Sequence, residues 1–184
     1  MTSFRLILIL AIATVTSIGA KPIIPRQAGG QGMTGLTVVS NLQSLSLVYQ
    51  DLTFAVNNLE SLKNQSDPDA IVAQYANLTN SEDADEAAPQ PSVAVDDFDQ
   101  YGILNAQFNL VQNDRAFLNA LSTNKQFFNS TLRATIRNLL SEQINVLNTF
   151  DKDIAAFAPD VVSATNANSG VLLAALQGLL ATFF

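Results

Sequence analysis

Histidine, cysteine and tryptophan are all absent from this 184-residue chain, and only 14% of its residues are charged. Without histidine and cysteine it lacks the usual general base, the thiol nucleophile and the commonest zinc ligands. Without cysteine it cannot be cross-linked by disulfides, so its core alone must hold it. Basic residues are scarce as well, 9 against 16 acids. That balance disfavours nucleic acid and anionic membrane surfaces, which recruit basic patches. What the chain has is apolar surface, 48% of its residues, including eleven phenylalanines. A core large enough for one domain is within its means.

Residues 1–20 have the layout of a secretory signal. Arg5 precedes the block "LILILAIA", and "TSIGA" then offers small residues up to Ala20. The block is shorter than the roughly 20 apolar residues of a membrane span, so the mature form is expected to have no transmembrane helix. Its removal leaves 8 bases against 16 acids. In residues 21–33, Pro22, Pro25 and a glycine pair predict a flexible spacer or pro-segment, leaving the mature start open. Residues 34–184 are expected to form the folded domain.

Within that domain the apolar period is helical throughout. Val38, Leu42, Leu45, Tyr49, Leu52, Val56 and Leu59 recur at steps of four and three, predicting a long amphipathic helix. Asp67 and Pro68 form a start signal for a shorter helix through Ile71, Val72, Tyr75 and Leu78. A third helix is expected over 98–121, its stripe read as Tyr101, Leu104, Phe108, Val111 and Leu118, widened by Ile103, Leu110, Phe117 and Leu121. A fourth, capped by Asn129 or Ser130, runs from Leu132 until Pro159 stops it. The closing "GVLLAALQGLLATFF" completes a fifth, with Asp160 as its expected cap. Between about 80 and 96, dense acids with Pro89 and Pro91 predict a solvated loop. The sum is an all-α, up-and-down bundle of four to five helices.

Three constellations bear on chemistry. "DFDQYG" places Asp97, Asp99 and Gly102 at calcium-loop spacing, but Tyr101 and Phe108 stand where oxygen ligands belong, so no metal is expected. Asp151 and Asp153, the acid pair considered for glycan hydrolysis, are two apart and do not share a helix face. The chain is read as non-catalytic, with no cofactor. Asn64, Asn77 and Asn129 head N-x-S/T acceptor triplets at expected helix ends or loops, and are the predicted N-glycosylation sites.

For most of the apolar residues packing is the plain role. The alternative is a cavity for an acyl chain between helices, with candidate lining residues Leu45, Tyr49, Leu52, Val56, Leu104, Phe108, Val111, Phe117, Leu139, Leu147, Phe150 and Ile154. Phe54 and Phe157 belong to the same phenylalanine set, and Arg115 is the candidate contact for an acid headgroup. A second mode needs no cavity: weakly charged amphipathic helices lay apolar faces on a hydrophobic surface.

The amino-terminal block, "NNLESL", the run "NDRAFLNALSTNKQFFNSTLRATIRNLLSEQINVLNTFDKDIAAFAPDVV" and the apolar close resemble the fungal hydrophobic surface binding protein A family, which includes antigenic cell-wall galactomannoproteins. The likeness covers most of the chain after about residue 34 and is best over 113–162. It implies an all-helical protein, secreted or associated with the cell wall, that adsorbs to hydrophobic surfaces, with relatives that hold a fatty acid inside the bundle. Further partners expected on that reading are cell-wall polysaccharide and a secreted hydrolase. A structural wall mannoprotein without a specific ligand is the alternative. Two departures are visible: a longer acidic, proline-containing segment, and no Ser/Thr-rich stalk. The apolar close also admits a lipid-anchor signal. Its lack of a polar spacer and its helical spacing favour a bundle helix.

Overall fold

The computed structural model describes residues 34–60, 67–86 and 94–183. The signal and spacer expected over 1–33, the acceptor Asn64 and the terminal Phe184 lie outside them. The described residues form five α-helices and no strand: α1 (Gly35–Asn57), α2 (Pro68–Glu86), α3 (Asp97–Thr123), α4 (Ser130–Phe157) and α5 (Val162–Thr182).

Local chemistry explains most of the starts. The Thr34 side chain accepts the Thr37 amide, Asp96 accepts Asp99, and Asn129 accepts Leu132 at 2.9 Å, so each quenches an amide that a helix start leaves open. Pro68 opens α2 and the Asp67 carboxylate accepts the Asp69 amide at 3.0 Å. The start of α5 differs from the expected Asp160 cap. Ala158 ends α4, a 3-10 turn covers Pro159–Val161, and no side chain caps α5. Asp160 is held elsewhere: its amide donates to Gln100 Oε1 at 2.9 Å, and its carboxylate accepts from Gln100 Nε2 at 3.2 Å.

The acidic segment is also shorter as a loop than its composition predicts. Helix α2 continues through Glu86, and extended backbone is resumed at residues 94–96 before α3. Charge density alone does not stop a helix, because alanine and glutamate are good helix formers. The prolines that do stop one stand at 89 and 91.

Each helix packs chiefly on two others, closing a ring in the order α1, α2, α4, α5, α3. The chain reverses at each connection. Tyr49 meets Glu82 across the first, Asp114 meets Gln143 across the turn at 124–129, and Asp151 meets Ser169 across the turn at 158–161. Helices α1 and α3 are therefore parallel neighbours, in a constant register of 67 residues. Asn113 Nδ2 donates to Ser46 Oγ at 2.6 Å, and Asn124 Nδ2 reaches Asn57 Oδ1 at 3.4 Å.

Glycine sets how closely α1 and α3 approach. A Cβ at Gly35 would overlap the Asp99 side chain, and one at Gly102 would lie 3.2 Å from Val39 Cγ2. The core inside the ring has two parts. The larger draws on all five helices, around Tyr49, Tyr75, Phe117 and Leu140, and it takes Phe128 from the 124–129 connection. The smaller lies at the other end, around Val38, Ile103, Ile154 and Phe157, and contains no residue of α2. Leu172, Leu176, Leu179 and Phe183 of the carboxyl-terminal stretch belong to the larger part.

The glycines yield a paired prediction. Gly35→Ala should lower the unfolding free energy by roughly 1–3 kcal/mol through overpacking. Gly170, within α5 and with no atom near its missing Cβ, should behave oppositely. Gly170→Ala should raise stability by about 0.5–1 kcal/mol. Urea unfolding of both variants checks the contrast, and equal effects of one sign would contradict it.

Candidate functional site

Between α1, α2, α3 and α4 the larger core holds polar groups. Gln143 on α4 is the hub. Its Nε2 donates to Asp114 Oδ2 on α3 at 2.6 Å and to the Tyr49 hydroxyl on α1, while its Oε1 accepts from the Tyr75 hydroxyl on α2 at 2.6 Å. Tyr49 in turn donates to Glu82 Oε1 on α2 at 2.9 Å. One amide thus connects four helices. Phe117 packs between the two tyrosines, with ring centroids 5.8 Å from Tyr49 and 4.9 Å from Tyr75, the latter edge-on.

Electrostatics in this cluster run in one direction. Asp114 is 1% exposed, and its Oδ1 has no hydrogen-bond partner. Burial, then the charge of Glu82, hold its carboxyl well above the usual carboxylate range, against the smaller opposing effect of the Gln143 hydrogen bond. Burial and the same acids also raise both tyrosines, so their hydroxyls stay donors. No base figures among the charges acting on Asp114.

Toward the smaller core a second polar group joins α3, α4 and α5. Gln107 Nε2 donates to the Thr165 carbonyl at 3.1 Å and to Ser169 Oγ at 3.0 Å, and Ser169 donates to Asp151. Burial raises Asp151 and Asp153. Asp151 is turned to Ser169, whereas Asp153 carries the field of Lys152.

The candidate lining residues do not surround one space. Leu45, Tyr49, Leu52, Val56, Val111, Phe117 and Leu139 are buried in the larger core, with Leu147 packed on it. Ile154 is buried in the smaller core, with Leu104 and Phe150 against it. Phe108 corrects the expectation, since it is 49% exposed on the outside of α3, and Phe54 is exposed on α1. The physical reason is a rotation of the α3 stripe. Its inward residues are Ile103, Gln107, Val111, Asp114, Leu118 and Leu121, so the line Leu104–Phe108 lies to one side.

The same rotation displaces Arg115. It is half-exposed, and the residue facing the core is its neighbour Asp114. Asp114 and Gln143 were missed because polar side chains were not sought on apolar stripes. Yet the positions 107, 111, 114, 118 on α3 and 136, 139, 140, 143 on α4 have the core spacing.

Of the acceptor asparagines, Asn77 is exposed within α2, not at a helix end. Asn129 is the exposed cap of α4, and it caps through Oδ1, leaving Nδ2 for a glycan. Asp97 to Gly102, the rejected calcium spacing, form the first turns of α3. No helix among the described residues is long and apolar enough to cross a membrane. Comparison with protein-family models, curated proteins and solved structures finds no match to this chain.

The hub predicts a specific cost. Gln143→Leu strands the Tyr75 hydroxyl and the Asp114 carboxyl without their partner, at about 1–3 kcal/mol for each buried group. A loss of roughly 2–6 kcal/mol in urea unfolding is expected, and a loss below about 1 kcal/mol would show that the amide is dispensable.

Proposed function

We propose that this chain is a non-catalytic, secreted protein that binds hydrophobic surfaces, and that the outer face of α1 and α3 makes the contact. The observation that carries this reading is the placement of large apolar side chains on the outside. Leu36, Leu47 and Phe54 are exposed on α1 at steps of eleven and seven, which returns them to one line along the helix. Phe98, Tyr101 and Phe108 are exposed on α3. Leu36 is 70% exposed and Phe98 86%, so neither owes its position to the core.

The setting of these residues favours an apolar partner. Between them on the exposed surface stand Ser40, Gln43, Gln50, Asn105, Asn109 and Gln112, which are uncharged. Asp51 is the acid on this part of α1, and burial raises its carboxyl. Helices α1 and α3 are adjacent and parallel, so the two rows stand on neighbouring helices. An apolar surface laid on these residues would meet few charges, the exposed Asp96 and Asp97 beside Phe98 among them. Lipid acyl chains and wax-like polymers have that chemistry. The fatty-acid cavity has less support, since its candidate residues pack mostly on one another in two separate clusters.

Secretion rests on the amino-terminal signal layout, and wall association on the family resemblance. Glycans at Asn77 and Asn129 fit the same reading, because neither residue lies on α1 or α3 and the adsorbing face stays clear.

Adsorption of the purified full chain to polystyrene beads and to neutral phosphatidylcholine vesicles tests the proposal. The variant Leu47→Ser, Phe54→Ser, Phe98→Ser should lose tenfold or more in binding, given about 1.5–3 kcal/mol for each large side chain buried. Its urea midpoint should barely move, as these residues are exposed. Raising salt should not weaken adsorption. Undiminished binding by the variant would remove the α1–α3 face from the account.

A further inference from the structure

Helix α2 is attached to the bundle differently from the other helices. Its apolar anchors, Ile71, Val72, Tyr75 and Leu78, enter only the larger core, as those of α5 do, but α5 is also tied to α3 and α4 through the second polar group around Gln107, Ser169 and Asp151. The polar attachments of α2, Tyr75 and Glu82, both end in the Asp114–Gln143–Tyr49 cluster.

We propose that α2 is a strap released by rising pH, held against α1 and α4 while Asp114 is protonated and loosened when Asp114 ionises beside Glu82. The groups around Asp114 leave little else to absorb the charge. Helix α1 presents Tyr49, α2 presents Tyr75 and Glu82, and α4 presents Gln143 next to Glu142, which acts on Tyr75. Helix α5 has no charged residue over Val162–Thr182, and on α3 the adjacent Arg115 is half-exposed. The Gln143 amide already uses both of its protons, on Asp114 and Tyr49. An ionised Asp114 therefore has one donor for two oxygens, in a buried setting where repulsion from a second carboxylate is poorly screened.

The direction follows from linkage. The folded chain holds the Asp114 proton more tightly than the unfolded chain, because burial and Glu82 raise its carboxyl. The stabilisation is thus complete below the ordinary carboxylate range and is lost as pH rises through the raised value. The strap should yield first, since both Tyr75 and Glu82 attach it to the cluster in which the charge appears, whereas α5 is held by a separate polar group around Gln107 and Ser169.

Hydrogen exchange of the full chain, corrected for the intrinsic pH dependence, tests this at about pH 5 and about pH 8. Protection of α2 amides from Ile71 to Leu78 should fall about tenfold or more across that range, while amides near Phe117 on α3 hold theirs. Asp114→Asn keeps the shape and an acceptor for Gln143 but cannot ionise, and it should flatten the α2 profile. Glu82→Gln should flatten it in part, and serves if the first variant folds poorly. Constant or rising α2 protection in the wild-type chain, equal loss in all helices, or an unchanged profile in a folded Asp114→Asn variant would each overturn the strap.

Discussion

Everything in the centre of this bundle turns on one side-chain amide having two donors and an acceptor. Gln143 is 3% exposed, deep enough that any hydrogen bond it fails to make is not replaced by water. Its geometry answers that constraint by engaging Tyr49, Tyr75 and Asp114 from three other helices at once. A leucine in the same place would pack, but it would leave the helices free to slide past one another. The amide sets their heights, because each partner sits at one level on its own helix. Helix ends, by contrast, are set locally by Thr34, Asp67, Asp96 and Asn129.

That polar centre makes the interior of a disulfide-free protein sensitive to proton concentration. Apolar packing around Leu140 and Leu176 is indifferent to pH, whereas Asp114 is not. The two behaviours are separated in space, with the smaller core at one end of the ring and the acid cluster within the larger. The outer face of α1 and α3 is separate again. Its exposed aromatic and aliphatic side chains are not among the core residues, so the proposed adsorption would rest on other residues of the same two helices than stability does.

The pairing of α1 with α3 links these themes. Two glycines bring the backbones together at one end, and two amide contacts 67 residues apart in sequence hold the register along the rest. The exposed side chains Leu36, Leu47 and Phe54 and the exposed Phe98, Tyr101 and Phe108 therefore stand on neighbouring helices.

Helical class, the number of helices and the starts at Asp67 and Asn129 were legible in the residues alone, because period, proline and capping chemistry act within a turn or two of the chain. Asp67–Pro68, Asn129 and the stop at Pro159 are examples. The extent of α2 was not, since dense acids predict a solvated loop from about residue 80 whereas the helix runs through Glu86. Nor was the site. A stripe read to within one residue puts Phe108 inside and Asp114 outside, whereas the ring places them the other way, and a hundred degrees of rotation per residue is enough for that exchange. Burial of Asp114, its bond to Gln143, and the meeting of Glu82 with Tyr49 depend on contacts between residues 29 and 33 apart in sequence. Periodicity along the chain already requires amphipathic helices that pack; which polar side chains leave water with them follows from the assembled bundle, because desolvation depends on every neighbour that arrives and not on the stretch of chain that carries the residue.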